Sequence, residues 1–247
     1  MSVKFGDTSG TLSKHIKAAA QMLGGDIDQS NQVYGDSYTM SGYAKGGDDR
    51  IIGDNEINPP PPFSGRDDSN SLYGDSYQMN DHAKGGDDTL VGGNIFNGAI
   101  NTVLSNLIYG DAYSMSDHAM GGKDTLIGGN NYEGSTLFNF LYGEAYQMNG
   151  AVVGGNDALI GGDNLGVGGN LFQHLYGDAY DMSGAVKGGS DLINGGSNGS
   201  GGNLLNDLNG DAYTMSGSAD GGDDVITGGN NKAGGLCKIN SLVTLAK

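Results

Sequence analysis

The sequence is short of several things. It has one cysteine, Cys237, so no disulfide can form within the chain. It has no tryptophan and four prolines, all at 59–62. Its 12 basic residues face 29 acidic ones, for a net charge of −17. That balance argues against nucleic acid and against anionic membrane surfaces, which recruit clustered Lys and Arg. No apolar run approaches the ~20 residues of a spanning helix, so no membrane insertion is expected. The segment from Met1 to Lys17 holds no apolar stretch of the kind a cleaved signal peptide carries. Apolar residues fill only 36 % of the 247 positions, which is lean for a thick core. What the chain has instead is glycine, 48 in all. They do not fall at every third position, so a collagen helix is excluded. Such a composition belongs to disorder, or to a repeat that puts Gly at every turn.

The repeat is there. Six tandem units begin at Gln32, Ser71, Leu107, Phe140, His174 and Asp207. The first step, from Gln32 to Ser71, is the longest, and the step from Leu107 to Phe140 is as short as any. The second unit reads SLYGDSYQMNDHAKGGDDTLVGGN. In every unit an amide (Asn31, Asn70, Asn106, Asn139, Gln173, Asn206) precedes an Asp (Asp49, Asp88, Asp124, Asp157, Asp191, Asp224) by the same interval. The return from that Asp to the next amide varies. It is longest from Asp49 to Asn70 and shortest from Asp124 to Asn139 and from Asp191 to Asn206. One stretch therefore has fixed geometry, and the other is a loop of adjustable length. The prolines sit in the longest such loop and read as a surface spacer.

The same frame finds the ends. Phe5-Gly6-Asp7 matches Tyr-Gly-Asp, Ser2 takes the amide place and Ala20 the Asp place. Between them KHIKAAAQ replaces the Gly-Gly segment and reads as helical. At the other end Asn240-Ser241-Leu242-Val243-Thr244 restarts the pattern. The chain divides into a degenerate capping repeat (1–30), six repeats (31–230) and a C-terminal half-repeat (231–247). An open stack needs atypical ends, because its end faces expose apolar surface and strand edges.

Column by column, the residue types alternate. Tyr38, Tyr77, Tyr113, Tyr146, Tyr180 and Tyr213 form one uniform column, and Met40, Met79, Met115, Met148, Met182 and Met215 the next but one. Ala44, Ala83, Ala119, Val152, Val186 and Ala219 follow, with mixed polar residues between. Period two with one uniform face is a half-buried strand. The expected fold is all-β, a parallel β-solenoid whose columns stack into ladders. A six-bladed β-propeller is the alternative with this repeat number. The Tyr38 and Met40 columns are expected in the core. Parity points Tyr34, Tyr73, Tyr109, Tyr142 and Tyr176 outward, as a candidate ligand-stacking stripe.

Two acidic columns repeat in every unit. One follows Tyr-Gly: Asp36, Asp75, Asp111, Glu144, Asp178 and Asp211. The other is the run from Asp49 to Asp224 already given. Stacked like charges repel unless a cation lies between them, so all twelve are candidate metal ligands. A catalytic centre needs a constellation that does not repeat. His82 and His118 share an outward column, while His15 and His174 stand alone, so no enzyme is expected.

The segments GDDTLVGGN at 86–94 and GNDALIGGD at 155–163 resemble the hemolysin-type (RTX) calcium-binding nonapeptide G-G-x-G-x-D-x-U-x. The resemblance implies Ca²⁺ held by Asp carboxylates and turn carbonyls between coils. It also implies small coils of two nonapeptides each, matching the amide-to-Asp interval, although the frame alone leaves open one large coil or two small ones per repeat. Here no unit has two complete nonapeptides in tandem, and an amide stands where the family has a second Asp. Such an amide can ligate calcium or simply ladder with its neighbours. The family implies type I secretion without a cleaved signal peptide, for which KINSLVTLAK is the place for a signal. It further implies a chain unfolded in low-calcium cytosol and folded outside. In length, acidic repeats and lack of an appended enzyme, the chain is similar to the rhizobial adhering (Rap) proteins. That likeness implies a secreted bacterial lectin or adhesin, binding acidic exopolysaccharide with calcium in a surface matrix or biofilm, with the stripe from Tyr34 to Tyr176 as its sugar-stacking surface. A purely structural matrix protein and an ice-binding solenoid are the alternatives.

Overall fold

The computed structural model describes residues 1–13, 17–25, 29–57, 67–96, 102–199, 201–232 and 237–242. The prolines at 59–62, residues 14–16 of the segment read as helical, and 243–247 of the tail lie outside the described residues.

Every regular element among the described residues is a strand. The strands form three long parallel ladders, of eight, seven and seven strands. The first contains Asn31–Tyr34, Asp67–Tyr73, Val103–Tyr109, Thr136–Tyr142, Asn170–Tyr176 and Asn203–Asn209. Ser37–Met40 and Ala112–Met115 belong to the second, Arg50–Ile52 and Thr89–Val91 to the third. Each strand pairs in register with the same strand of the next repeat, Tyr73 with Tyr109 and Tyr109 with Tyr142. Each repeat is thus a single coil of a β-solenoid. This corrects the small two-nonapeptide coil, because Asn70 and Asp88 lie at different corners of one coil. A propeller is excluded as well, since its blades pair antiparallel strands within a repeat.

At the N-terminus the frame holds, with Ser2 opposite Asn31 and Phe5 opposite Tyr34. Met22 pairs with Arg50, which puts Gln21 rather than Ala20 opposite Asp49. The described part of the expected helix, from Lys17 onward, is extended. Lys17 bridges to Lys45, and the Ala18 N–H donates to the Lys45 carbonyl at 2.8 Å. So short a helix is marginal alone, and the neighbouring coil offers backbone partners instead. At the other end Ile239 faces Asn206, one residue earlier than the Asn240 restart implies.

The interior holds two apolar columns side by side. Val33, Leu72, Ile108, Leu141, Leu175 and Leu208 meet Ile51, Leu90, Leu126, Leu159 and Ile193. The Met column from Met40 to Met182 packs with the Ala and Val column, as expected. A third group, Ile95, Leu104, Leu137, Leu171 and Leu204, is built from stretches that vary in length.

The two aromatic columns exchange the places expected of them. Tyr34, Tyr73, Tyr109, Tyr142 and Tyr176 are buried at 3–5 % exposure, not outward. Tyr38 and Tyr213 are 43 % and 55 % exposed, and the rings between them half-buried. The cause is the corner. Alternation along Asp67–Tyr73 ends with two buried residues, Leu72 and Tyr73, where the chain turns at Gly74. The Tyr73 ring then lies edge-on beneath Tyr77, centroids 6.0 Å apart. Coils meet closely at this corner. A Cβ on Gly74 would stand 2.9 Å from the Gly110 carbonyl carbon, so only Gly fits.

Candidate metal centre

The corner after each Tyr-Gly brings the two acidic columns together. All of the predicted carboxylates except the half-buried Asp224 are buried. Strand pairing fixes their backbones, and each carboxylate is tethered by an amide. In one column the Asp88 N–H donates to Asp124 Oδ1, and the Asp124 N–H to Asp157 Oδ1, both at 2.7 Å. In the other, the N–H of the second Gly of the Gly-Gly turn donates to the acid, Gly122 to Asp111 at 3.1 Å and Gly189 to Asp178 at 2.7 Å. Gly155 makes the same bond to Glu144.

Gly86 and Gly122 share their N–H between both oxygens of Asp75 and Asp111, and most of the other carboxylates are held by one oxygen only. In the first column Asp49, Asp88, Asp124, Asp157, Asp191 and Asp224 all keep Oδ2 buried with no hydrogen-bond donor. In the second, Asp36 Oδ1, Glu144 Oε2 and Asp178 Oδ2 are in the same position. One oxygen from each of Asp111, Asp124 and Glu144 lies within 4.8 Å of the other two. Ligands on opposite sides of a calcium ion, at 2.3–2.6 Å from it, stand ~5 Å apart. The donor set is oxygen only, which suits a hard cation and not a soft one.

Burial also sets the electrostatics. It pushes Asp36 up to about 6 and Asp49 up to about 7, with the Asp36 charge adding to the second. It pushes Asp191 up to about 8, against the Asp157 N–H that favours the anion. Asp88, Asp124 and Asp157 are held well above the carboxylate range by burial first and neighbouring carboxylates next. An uncompensated buried charge costs several kcal/mol. At neutral pH these columns therefore have two ways out, proton uptake or a cation.

The amide column resolves differently. Asn106 Nδ2 donates to the Gly93 carbonyl and to Asn139 Oδ1, each at 2.9 Å, and its Oδ1 accepts the Gly93 N–H at 2.9 Å. Gln173 repeats the pattern with Gly162 and Asn206. These buried amides satisfy one another and leave nothing for a metal. Of the two alternatives for this column, the structure shows the ladder.

The N-terminal coil keeps a weaker version of the site. Asp7 is hydrogen-bonded by the Gln21 side chain at 2.7 Å, and Gln21 stands in the Asp column. The predicted sugar-stacking stripe is brought together as a continuous stack, Tyr73 to Tyr109 at 4.9 Å, but in the interior. Sequence parity missed the outer ladder, whose rings stack in the same way, Tyr77 to Tyr113 at 4.9 Å. The signal for it was the turn Gly between the two aromatic columns, which resets the parity. Against known proteins, the chain matches no family model, no curated protein and no solved structure.

Proposed function

We propose that this chain is a calcium-binding β-solenoid, secreted by bacteria, that binds exopolysaccharide in a surface matrix as a lectin or adhesin. The observation that carries it is the pair of buried carboxylate columns with donor-less oxygens. Ca²⁺ would be held there by the acids of adjacent coils, foremost Asp111, Asp124 and Glu144. When bound, the ion supplies charge neutralisation between coils and no chemistry on a substrate. The chain's residues do the rest: peptide N–H groups aim the carboxylates, and the ladders hold the coils at a fixed spacing. Folding then depends on calcium, as expected where a metal site exists only in the folded state. A chain that stays unfolded in low-calcium cytosol and folds outside suits type I secretion.

The binding half of the reading rests on the surface. The outer Tyr ladder is a stacked aromatic row at the surface, exposed at its end rings and half-buried between them. The test is a glycan array, including bacterial exopolysaccharides, probed in calcium and in EDTA. Calcium-dependent retention of a polysaccharide supports the reading. No retention in calcium overturns its binding half.

A further inference from the structure

One groove breaks the repetition. It has a volume of about 450 Å³ and runs between two rows on the C-terminal coils. Tyr146, Tyr180 and Tyr213 of the outer ladder form one wall, and Phe140, His174 and Asp207 the other. Buried Tyr142 and Tyr176 make the floor. The second wall belongs to the column that reads Gln32, Ser71, Leu107, Phe140, His174, Asp207. Its neighbours stay amide on one side and aliphatic on the other through the repeats, and this one changes in every unit.

The wall is pre-arranged. His174 stacks on Phe140 at 5.0 Å, and its Nδ1 lies 3.3 Å from Asp207 Oδ2. Both His174 and Asp207 remain about a quarter exposed, at 27 % and 25 %. The floor ends at the same place, because Asn209 stands where the inner Tyr ladder would continue. Its Nδ2 is buried and has no hydrogen-bond partner. Tyr213, stacked on Tyr180 at 5.0 Å, is the most exposed ring of its ladder.

We infer that this groove binds an uncharged, polyhydroxylated sugar ring. The inference deepens the polysaccharide reading and rests on it. Stacking covers the faces of Tyr146 and Tyr180, so these rings present edges and hydroxyls. Ring edges carry the positive part of the aromatic quadrupole, which favours oxygen over a cation. The half-exposed Tyr213 adds an aromatic surface for the apolar side of a ring. Asp207 accepts from sugar hydroxyls, and the phenols both donate and accept. An acidic sugar is opposed by the Asp207 carboxylate in the groove wall. It is opposed as well by the wider field, since without the twelve column acids the −17 charge still leaves −5.

The test is binding of a panel of neutral glycans, acidic glycans and choline to the full chain in calcium. Neutral glycans should be retained, and choline should not displace them. Asp207→Ala and Tyr180→Ala should each weaken the best neutral glycan about tenfold or more. His174→Gln, of similar size, should weaken it less. Asp207→Ala and His174→Gln should keep the wild-type melting temperature in calcium, and Tyr180→Ala, which takes a ring out of the stack, should lower it while leaving the chain folded, which separates a lost contact from a lost fold. Retention of acidic glycans alone, displacement by choline, or variants that bind as well as wild type would each overturn the groove and leave the calcium reading standing. A wild-type chain that retains no glycan fails the polysaccharide reading itself, before any variant is made.

Discussion

Each coil turns two equivalent corners, and they solve the same problem in opposite ways. Both are cradles over a Gly-Gly turn, filled by a side chain. A Cβ on Gly92 would stand 2.8 Å from Asn106 Nδ2, and a Cβ on Gly85 2.7 Å from Asp75 Oδ2. In both, the second Gly donates its N–H to the filling side chain, Gly93 to Asn106 and Gly86 to Asp75. The amide also donates, to the Gly carbonyl and to the next amide, and the corner closes on itself. An ionised carboxylate has no proton to give. Its corner stays open until a proton or a cation arrives. The backbone is indifferent, and one NH₂ group decides whether the corner is structural or responsive.

That difference can be broken by swapping the two chemistries. The largest effect is expected from converting the column that fills the acidic cradle, Asp36, Asp75, Asp111, Glu144, Asp178 and Asp211, to the matching amides. The converted chain should keep its far-UV β signal in EDTA, where wild type loses it. If both chains melt alike in EDTA, the acidic corner is not the calcium-sensitive one.

The reverse swap comes next. Asn106→Asp removes the donor to Gly93 and Asn139 and buries a charge among amides. It should cost ~3–5 kcal/mol by the rule for an uncompensated buried charge. Urea unfolding in calcium measures it, and a cost below ~1 kcal/mol would show that the amide corner tolerates charge.

A single swap, Asp124→Asn, should reverse sign with the buffer. In EDTA it relieves a buried charge and raises stability by ~1–3 kcal/mol. In calcium it removes a ligand and lowers stability. A change of one sign in both buffers would separate Asp124 from the metal.

The smallest effect is on pH. The metal-free carboxylates titrate at raised values in the fold, about 6 for Asp36, 7 for Asp49 and 8 for Asp191. Unfolded, they titrate near ~4. The folded state binds the extra protons, so this contribution to stability is full below pH ~4 and is lost as pH rises through about 6 to 8. In EDTA the melting temperature should therefore fall from pH 5 to pH 8. Saturating calcium should abolish that fall, because the ion replaces the protons.

Much of this was legible in the sequence. The strands, their in-register stacking and the Met and Ala columns follow from period two and a fixed frame. The carboxylate columns follow too, since Asp at a fixed place in each repeat must stack on Asp. The corners were not legible. Period two holds only within a strand, and Tyr73 sits at a strand's last residue, where turning at Gly74 carries its ring inside and leaves Tyr77 to cover it. The Leu104 to Leu204 column was hidden because it lies in the stretch of variable length. Gln21 was missed by one residue because the shorter first coil does not keep the amide-to-Asp interval of the others. The amide ladder was visible as a column, but its neutrality became decisive only with its hydrogen bonds in view.

The most direct test of the account is a calcium titration of the EDTA-treated chain followed by far-UV circular dichroism and melting temperature, with magnesium as the control. The chain should be largely unfolded in EDTA at pH 7.5, gain β signal cooperatively as calcium is added, and stay unfolded in equal magnesium. A chain equally folded and equally stable in EDTA and in calcium would contradict it.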